Sequence, residues 1–154
     1  MTSGETPEMI HANALMLGET GLLLRGASGS GKSALTLRLT SWASSHGRFA
    51  RLIGDDRVAL VNRNGRLIAR PHPAISGAIE LRGLGIAPMP FEPAGVIRFV
   101  VDLALEDNPP PRYPPAEVQL DRICGLSLPR WVLDAGDVTI IEKISHILQL
   151  FEAK

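Results

Sequence analysis

The chain has 154 residues, with sixteen basic and sixteen acidic side chains that cancel to a formal net charge of zero. That length suits one domain rather than two, because each half alone would bury too little apolar surface to hold a core. A hydrophobic content of 45% with 21% charged residues is globular in character, and the charge balance speaks against a general nucleic-acid binder. Cys124 is the one cysteine, which excludes an internal disulfide framework and a multi-cysteine metal site. The opening MTSGETPEMI lacks the regions of a secretory signal, and no apolar run reaches bilayer length. The expectation is a cytoplasmic single domain over residues 1–154, without a membrane partner.

Residues 8–17 suit a strand and its neighbours, and the turn Gly18-Glu19-Thr20-Gly21 leads into a second strand at Leu22–Arg25. A glycine-rich loop follows. The segment SALTLRLTSWASS then sets Leu35, Leu39 and Trp42 on one helical face with Ala34, Leu37 and Arg38 alongside, and Gly47 is its stop. Leu52-Ile53 runs into Gly54-Asp55-Asp56, and Asn64-Gly65 is a hairpin turn between Val58–Val61 and Leu67–Ala69. The stretch from Arg70 to Phe91 is too rich in Gly and Pro for a long helix. Val96–Leu105 reads as a buried strand, DNPPPRYPP as a loop, and the tail as a helix presenting Val138, Ile141, Ile144 or Ser145, Leu148 and Phe151. The fold class is α/β.

The loop Gly26-Ala27-Ser28-Gly29-Ser30-Gly31-Lys32-Ser33 satisfies GxxxxGK[ST]. Its glycines open backbone dihedrals that let N–H groups converge on phosphate oxygens. Lys32 brings a positive charge to the β- and γ-phosphates, Ser33 offers a hydroxyl to Mg²⁺, and the following helix points its positive end at the same place. A chance Gly/Ser surface loop would lack the apolar strand before it and the amphipathic helix after it. The motif signifies nucleotide-phosphate binding without saying kinase, ATPase, GTPase or switch.

Asp55 and Asp56 follow the next short strand, where P-loop proteins present a carboxylate toward Mg²⁺. One aspartate would serve the metal, and the second would be free to accept the proton of a nucleophilic hydroxyl. In Ala78-Ile79-Glu80-Leu81-Arg82, an extended chain turns Glu80 and Arg82 the same way, toward a second Mg²⁺ contact and a phosphate counter-charge. His11 and Arg122 each read equally as ordinary surface side chains, and Cys124 as a small buried hydrophobe.

Together GASGSGKS, IGDDRV and IELRGLGI, in that order, resemble the C-terminal catalytic domain of HPr kinase/phosphorylase, from about His11 to the last helix. The resemblance implies a P-loop nucleotide-binding core like that of phosphoenolpyruvate carboxykinase, a mixed sheet with flanking helices. It implies that Asp56 matches the catalytic acid/base with Asp55 beside it, that Glu80 binds Mg²⁺, that His11 matches the histidine one hairpin before the P-loop, and that Arg122 matches a functional arginine. Members use ATP and Mg²⁺ to phosphorylate a serine of HPr, the phosphocarrier protein of the phosphotransferase system; many also remove that phosphate by phosphorolysis, and they commonly form hexamers. The chain departs at Ala27, often Asp in the family, and at Trp131–Gly136, which stands where a proline- and arginine-rich loop serves phosphorolysis, with Arg130 the nearest cation. Two other readings are a P-loop kinase for a small metabolite and a non-enzymatic ATP-binding sensor.

Overall fold

The longest apolar run in the sequence becomes the axis of the fold. In the computed structural model, which describes residues 6–104, 107–113 and 119–152, that run is strand β9 (Gly95–Leu103). The chain reaches it through β1 (Glu8–Ile10), β2 (Ala12–Leu17), β3 (Thr20–Arg25), α1 (Lys32–Ser45), β4 (Ala50–Gly54), β5 (Val58–Arg63), β6 (Arg66–Pro71), β7 (Ala78–Leu81) and β8 (Gly85–Pro88). After β9 come β10 (Leu120–Ile123), β11 (Leu126–Leu133) and α2 (Ile140–Glu152). The main sheet runs β1-β5-β6-β9-β3-β2-β4, with β11 also on β9 and β10 on β11; β7 and β8 form a separate hairpin. The sheet is mixed, since β9 is parallel to β3 and β11 but antiparallel to β6.

A strand with side chains buried on both faces must be largely apolar, and β9 meets that requirement apart from exposed Arg98 and ion-paired Asp102. Phe99, Val101 and Leu103 join Leu22 and Leu24 beneath the two helices, while Val100 and Leu23 face the other way with Val58, Leu60, Leu67, Ile123 and Leu128. The first core is closed by Leu35 and Leu39 of α1 and by Ile140, Ile144 and Leu148 of α2. The second is built by strands alone. Gly21 is required where β3 approaches β9, because a Cβ there would lie 2.1 Å from the Val96 carbonyl oxygen. The Asn64-Gly65 turn has positive φ at both residues (54° and 80°), the hairpin geometry that this dipeptide favours.

Three expectations need correction or completion. Val138 does not join the apolar face of the last helix; it precedes α2 and is 85% exposed, because the turn at Asp137–Thr139 carries it outward. On α1, Leu37 is exposed while Thr36 and Thr40 turn inward. Their hydroxyls donate to the carbonyl oxygens of Lys32 (2.8 Å) and Thr36 (3.0 Å), which makes burial of a polar side chain inexpensive. The proline-rich stretch is without a named strand or helix over 107–113, and its remainder lies outside the described residues. Among the described residues no helix is long and apolar enough to cross a membrane.

Candidate functional site

The site gathers at the end of β3, where the buried strand releases the chain into the glycine-rich loop. Gly29 and Gly31 have φ of 81° and 102°, and Gly31 is the residue from which α1 starts. These dihedrals point successive amides into one concavity, which is the reason for glycine at both positions. Lys32 is 6% exposed, and its Nζ donates to the carbonyl oxygens of Gly26 (2.8 Å) and Ala27 (3.3 Å), so the ammonium is held inside its own loop. Ser30 Oγ is buried and, among the described residues, is one of two such side-chain atoms without a hydrogen-bond partner.

β4 delivers the acidic pair to the same place. Asp55 is 6% exposed and its carboxylate accepts three hydrogen bonds: Oδ1 from Ser33 Oγ (2.7 Å) and Asn13 Nδ2 (2.9 Å), and Oδ2 from the Glu80 amide (2.9 Å). Three donors are what a buried carboxylate needs to offset desolvation. Asp56 behaves differently. Its backbone is left-handed (φ 64°), its side chain is 56% exposed, and its Oδ1 lies 3.9 Å from Lys32 Nζ.

The β7–β8 hairpin completes the cleft. Met89 N to the Gly77 carbonyl (3.0 Å) closes its base, the Glu80 amide fastens it to Asp55 and Leu52 N to the Pro90 carbonyl (3.0 Å) ties its end to β4, while Phe91 packs where a Cβ on Gly77 would be. Glu80 faces the cleft as alternation requires, and Arg82 stands at the start of the hairpin turn with Nη2 against Gly29. Ser28, Gly29, Gly31, Lys32, Ser33, Asp55, Asp56, Glu80 and Arg82 line one cleft of about 640 Å³, together with Ala34, Leu37, Arg38, Leu81 and Leu84. That volume is in the range of small-molecule sites.

Behind the loop, Arg25 is the residue immediately before Gly26. Its Nε and Nη2 donate to Asp102 (2.7 and 2.9 Å), and Nη2 also pairs with Asp121 Oδ2 (2.6 Å). Arg130 binds the same Asp102 carboxylate. Burial alone would raise the Asp102 carboxyl, but hydrogen bonds from Arg25 and then Arg130 outweigh it and hold the group below the usual carboxylate value. Burial would likewise lower Arg25, yet Asp102 and Asp121 hold it above its ordinary value. The loop carrying Ala135 lies against the cradle, 3.5 Å from a Cβ position on Gly31.

Two sequence candidates are not brought to the cleft. His11 is exposed at the bend between β1 and β2, and that bend interrupts the alternation that would have aligned it with Asn13. Arg122 is exposed on β10, opposite Ser127; its neighbour Asp121 is the residue that reaches the loop's base, through Arg25. Asn13 and Thr36 were missed. The available signal was an asparagine inside the apolar strand Ala12–Leu17, since a buried amide demands partners. Arg38 was read only as flanking the helical face, yet it adds a third cation to the cleft. A second cleft of about 570 Å³ lies beside β9, between β6 and the first half of β11, and is lined by none of the predicted site residues.

Comparison with known proteins agrees with this layout. Residues 5–90, from before His11 through the β7–β8 hairpin, match the HPr Serine kinase C-terminal domain family. The HPr kinase/phosphorylase of Mycoplasma mycoides subsp. mycoides SC is 42% identical over 76 residues, covering 49% of this chain and 22% of that protein. That of Clostridium tetani is 40% identical over 70 residues, covering 46% and 21%. The aligned stretch is thus about a fifth of the length of these relatives. The solved Hpr(Ser) kinase/phosphatase of Coxiella burnetii superimposes with a TM-score of 0.76 at 22% identity, covering 95% of this chain and 91% of that one, which shows a shared fold over β10, β11 and α2 as well. With the matched segment holding the cradle, both aspartates and Glu80, the chain belongs to the HPr serine kinase C-terminal domain family.

Proposed function

We propose that the chain is a Mg²⁺- and ATP-dependent protein kinase that phosphorylates a serine of HPr, the phosphocarrier protein of the phosphotransferase system. The observation carrying this reading is the convergence of Ser33, Asp55 and the Glu80 strand on one phosphate cradle, with Asp56 beside Lys32. The donors fit the ligands. A cradle with an unpartnered buried hydroxyl at Ser30 suits phosphate oxygens, and Ser33, Asp55 and Glu80 are hard oxygen donors of the kind Mg²⁺ takes alongside substrate phosphates. Mg²⁺ held there would supply positive charge to offset that of the triphosphate.

Within that frame Gly26–Ser33 hold the triphosphate, and Ser33 with Asp55 and Glu80 hold the metal side. Asp55, buried beside Ser33 with a lone-pair site left on Oδ2, is the aspartate of the pair suited to the metal. Asp56, exposed at the cleft, accepts the proton of the acceptor serine as its oxygen forms a bond to the γ-phosphorus and the bond to the β,γ-bridging oxygen breaks, releasing ADP. Lys32 and Arg82 offset charge on the transferring group. His11, next to the Ala12 whose amide donates to the Asp56 carbonyl oxygen, adjoins the Asp56 turn, whereas Arg122 acts only if a second subunit supplies it, and a homo-oligomer, a hexamer by family resemblance, is part of the proposal. The whole chain serves as one catalytic domain in the cytoplasm. Arg130 is engaged by Asp102, and the Trp131–Gly136 loop offers no arginine, which favours the kinase over the phosphorolysis direction.

Incubation with γ-labelled ATP, Mg²⁺ and HPr tests the reading. D56N is expected to bind Mg-ATP and lose most transfer, whereas D55N is expected to lose Mg²⁺-dependent binding. The reverse pattern would exchange the two roles, and transfer to a metabolite panel but not to HPr would replace the substrate.

A further inference from the structure

Asn13 has no solvent exposure, and every part of its amide is used. Nδ2 donates to Asp55 Oδ1 (2.9 Å) and to Thr36 Oγ1 (3.0 Å), and Oδ1 accepts from the Asp56 amide (2.8 Å). The orientation has no alternative. Thr36 gives its own proton to the Lys32 carbonyl oxygen, so its hydroxyl can only accept from Asn13. A flipped amide would set an oxygen against the Asp55 carboxylate and an N–H₂ against the Asp56 N–H.

We infer that Asn13 is a positioning residue for both aspartates of the cleft, an assignment that rests on the kinase reading above. Asp56 occupies the left-handed region that a side chain bearing a Cβ resists, and it is clamped there from both sides. Its amide donates to Asn13, and its carbonyl oxygen accepts from Ala12 N (3.1 Å). This kink gives two adjacent carboxylates different surroundings: Asp55 turns inward to Ser33, and Asp56 outward beside Lys32. The same amide pins Asp55 Oδ1, so one side chain of β2 holds the carboxylate next to the metal-side hydroxyl and also the turn that aims the proton acceptor. An apolar residue at this position would pack in the strand and leave the Asp56 N–H and one Asp55 lone pair without partners.

The first test needs neither nucleotide nor activity. In the wild-type protein, a through-hydrogen-bond NMR coupling between Asp56 N and Asn13 Cγ is expected, and its absence would overturn the assignment. In N13A the Asp56 amide should exchange with solvent about tenfold faster or more, and equal protection in N13A and wild type also overturns it. Kinetically, N13A should lower kcat for transfer to HPr by about a hundredfold through Asp56 and raise KM for Mg-ATP by about tenfold through Asp55. In a D56N background most of the kcat loss should disappear while the KM effect persists, and an undiminished kcat loss there counts against positioning. If wild-type protein transfers phosphate to no acceptor, the kinase reading fails while coupling and exchange still judge Asn13. If the variants do not fold, the wild-type coupling decides.

Discussion

Gly26 opens the cradle at a point with no room for a methyl group. A Cβ there would lie 2.4 Å from Ser30 Oγ, 3.1 Å from Ser30 Cβ and 3.3 Å from Leu103 Cβ. Leu103 is buried in the helix-side core, so relief must come from Ser30. Rotation of Ser30 can carry its Oγ away, yet the two Cβ contacts still need a shift of a few tenths of an ångström in a loop proposed to present its amides to phosphate oxygens, and overpacking of this kind costs about 1–3 kcal/mol. Should that cost fall on the bound geometry, G26A weakens Mg-ATP binding by roughly 5- to 150-fold. Ser30→Gly removes both close atoms and leaves only the Leu103 contact, tight by tenths of an ångström. The double variant G26A/S30G should therefore bind within about threefold of S30G alone, with the pair strongly non-additive. Titration with a fluorescent ATP analogue, beside circular dichroism to verify the fold, measures all four proteins. Wild-type affinity in G26A, or a double variant as weak as G26A, would refute the steric argument.

Other expectations concern the supports of the site. D102N leaves Arg25 and Arg130 without their shared carboxylate and should cost about 1–3 kcal/mol in urea unfolding at neutral pH. Because the folded Asp102 carboxyl is held below its ordinary value, its contribution is complete above the unfolded value near 3.8 and is lost as pH falls through the lower folded one. Wild type should thus lose more stability than D102N on acidification below about pH 4; parallel acid profiles would exclude that role. Phe99 has no exposure, stacks on Phe151 at 5.1 Å and meets Trp131 edge-on at 5.9 Å, so F99A should destabilise by about 3–5 kcal/mol in the same assay. K32A should reduce ATP affinity by at least about tenfold without unfolding the chain, since a point charge at the β- and γ-phosphates is lost.

Much of this was legible before any coordinates. GASGSGKS between an apolar strand and a helix marks a tight strand–loop–helix turn because the glycine spacing is itself the geometry, and Gly29 and Gly31 take the positive φ it needs. The DD after Leu52-Ile53 and the Glu80/Arg82 alternation announced acidic and basic groups of the right kind, and the structure places them in one cleft. Local chemistry writes such elements into neighbouring residues, as Asn64-Gly65 and the run at β9 also illustrate.

Other assignments depend on contacts between residues far apart in the chain, which no local pattern encodes. Asn13 lies 42 residues from Asp55 and 23 from Thr36, and only the pairing of β2 with β4 beside α1 lets one amide serve both. His11 and Arg122 carried plausible motifs, yet a bend and an edge strand leave them outside the cleft. Composition and spacing therefore determined what chemistry the chain possesses. Tertiary pairing decided which carboxylate is buried and which is exposed beside Lys32, because desolvation and hydrogen-bond satisfaction are properties of the assembled surroundings rather than of the residue.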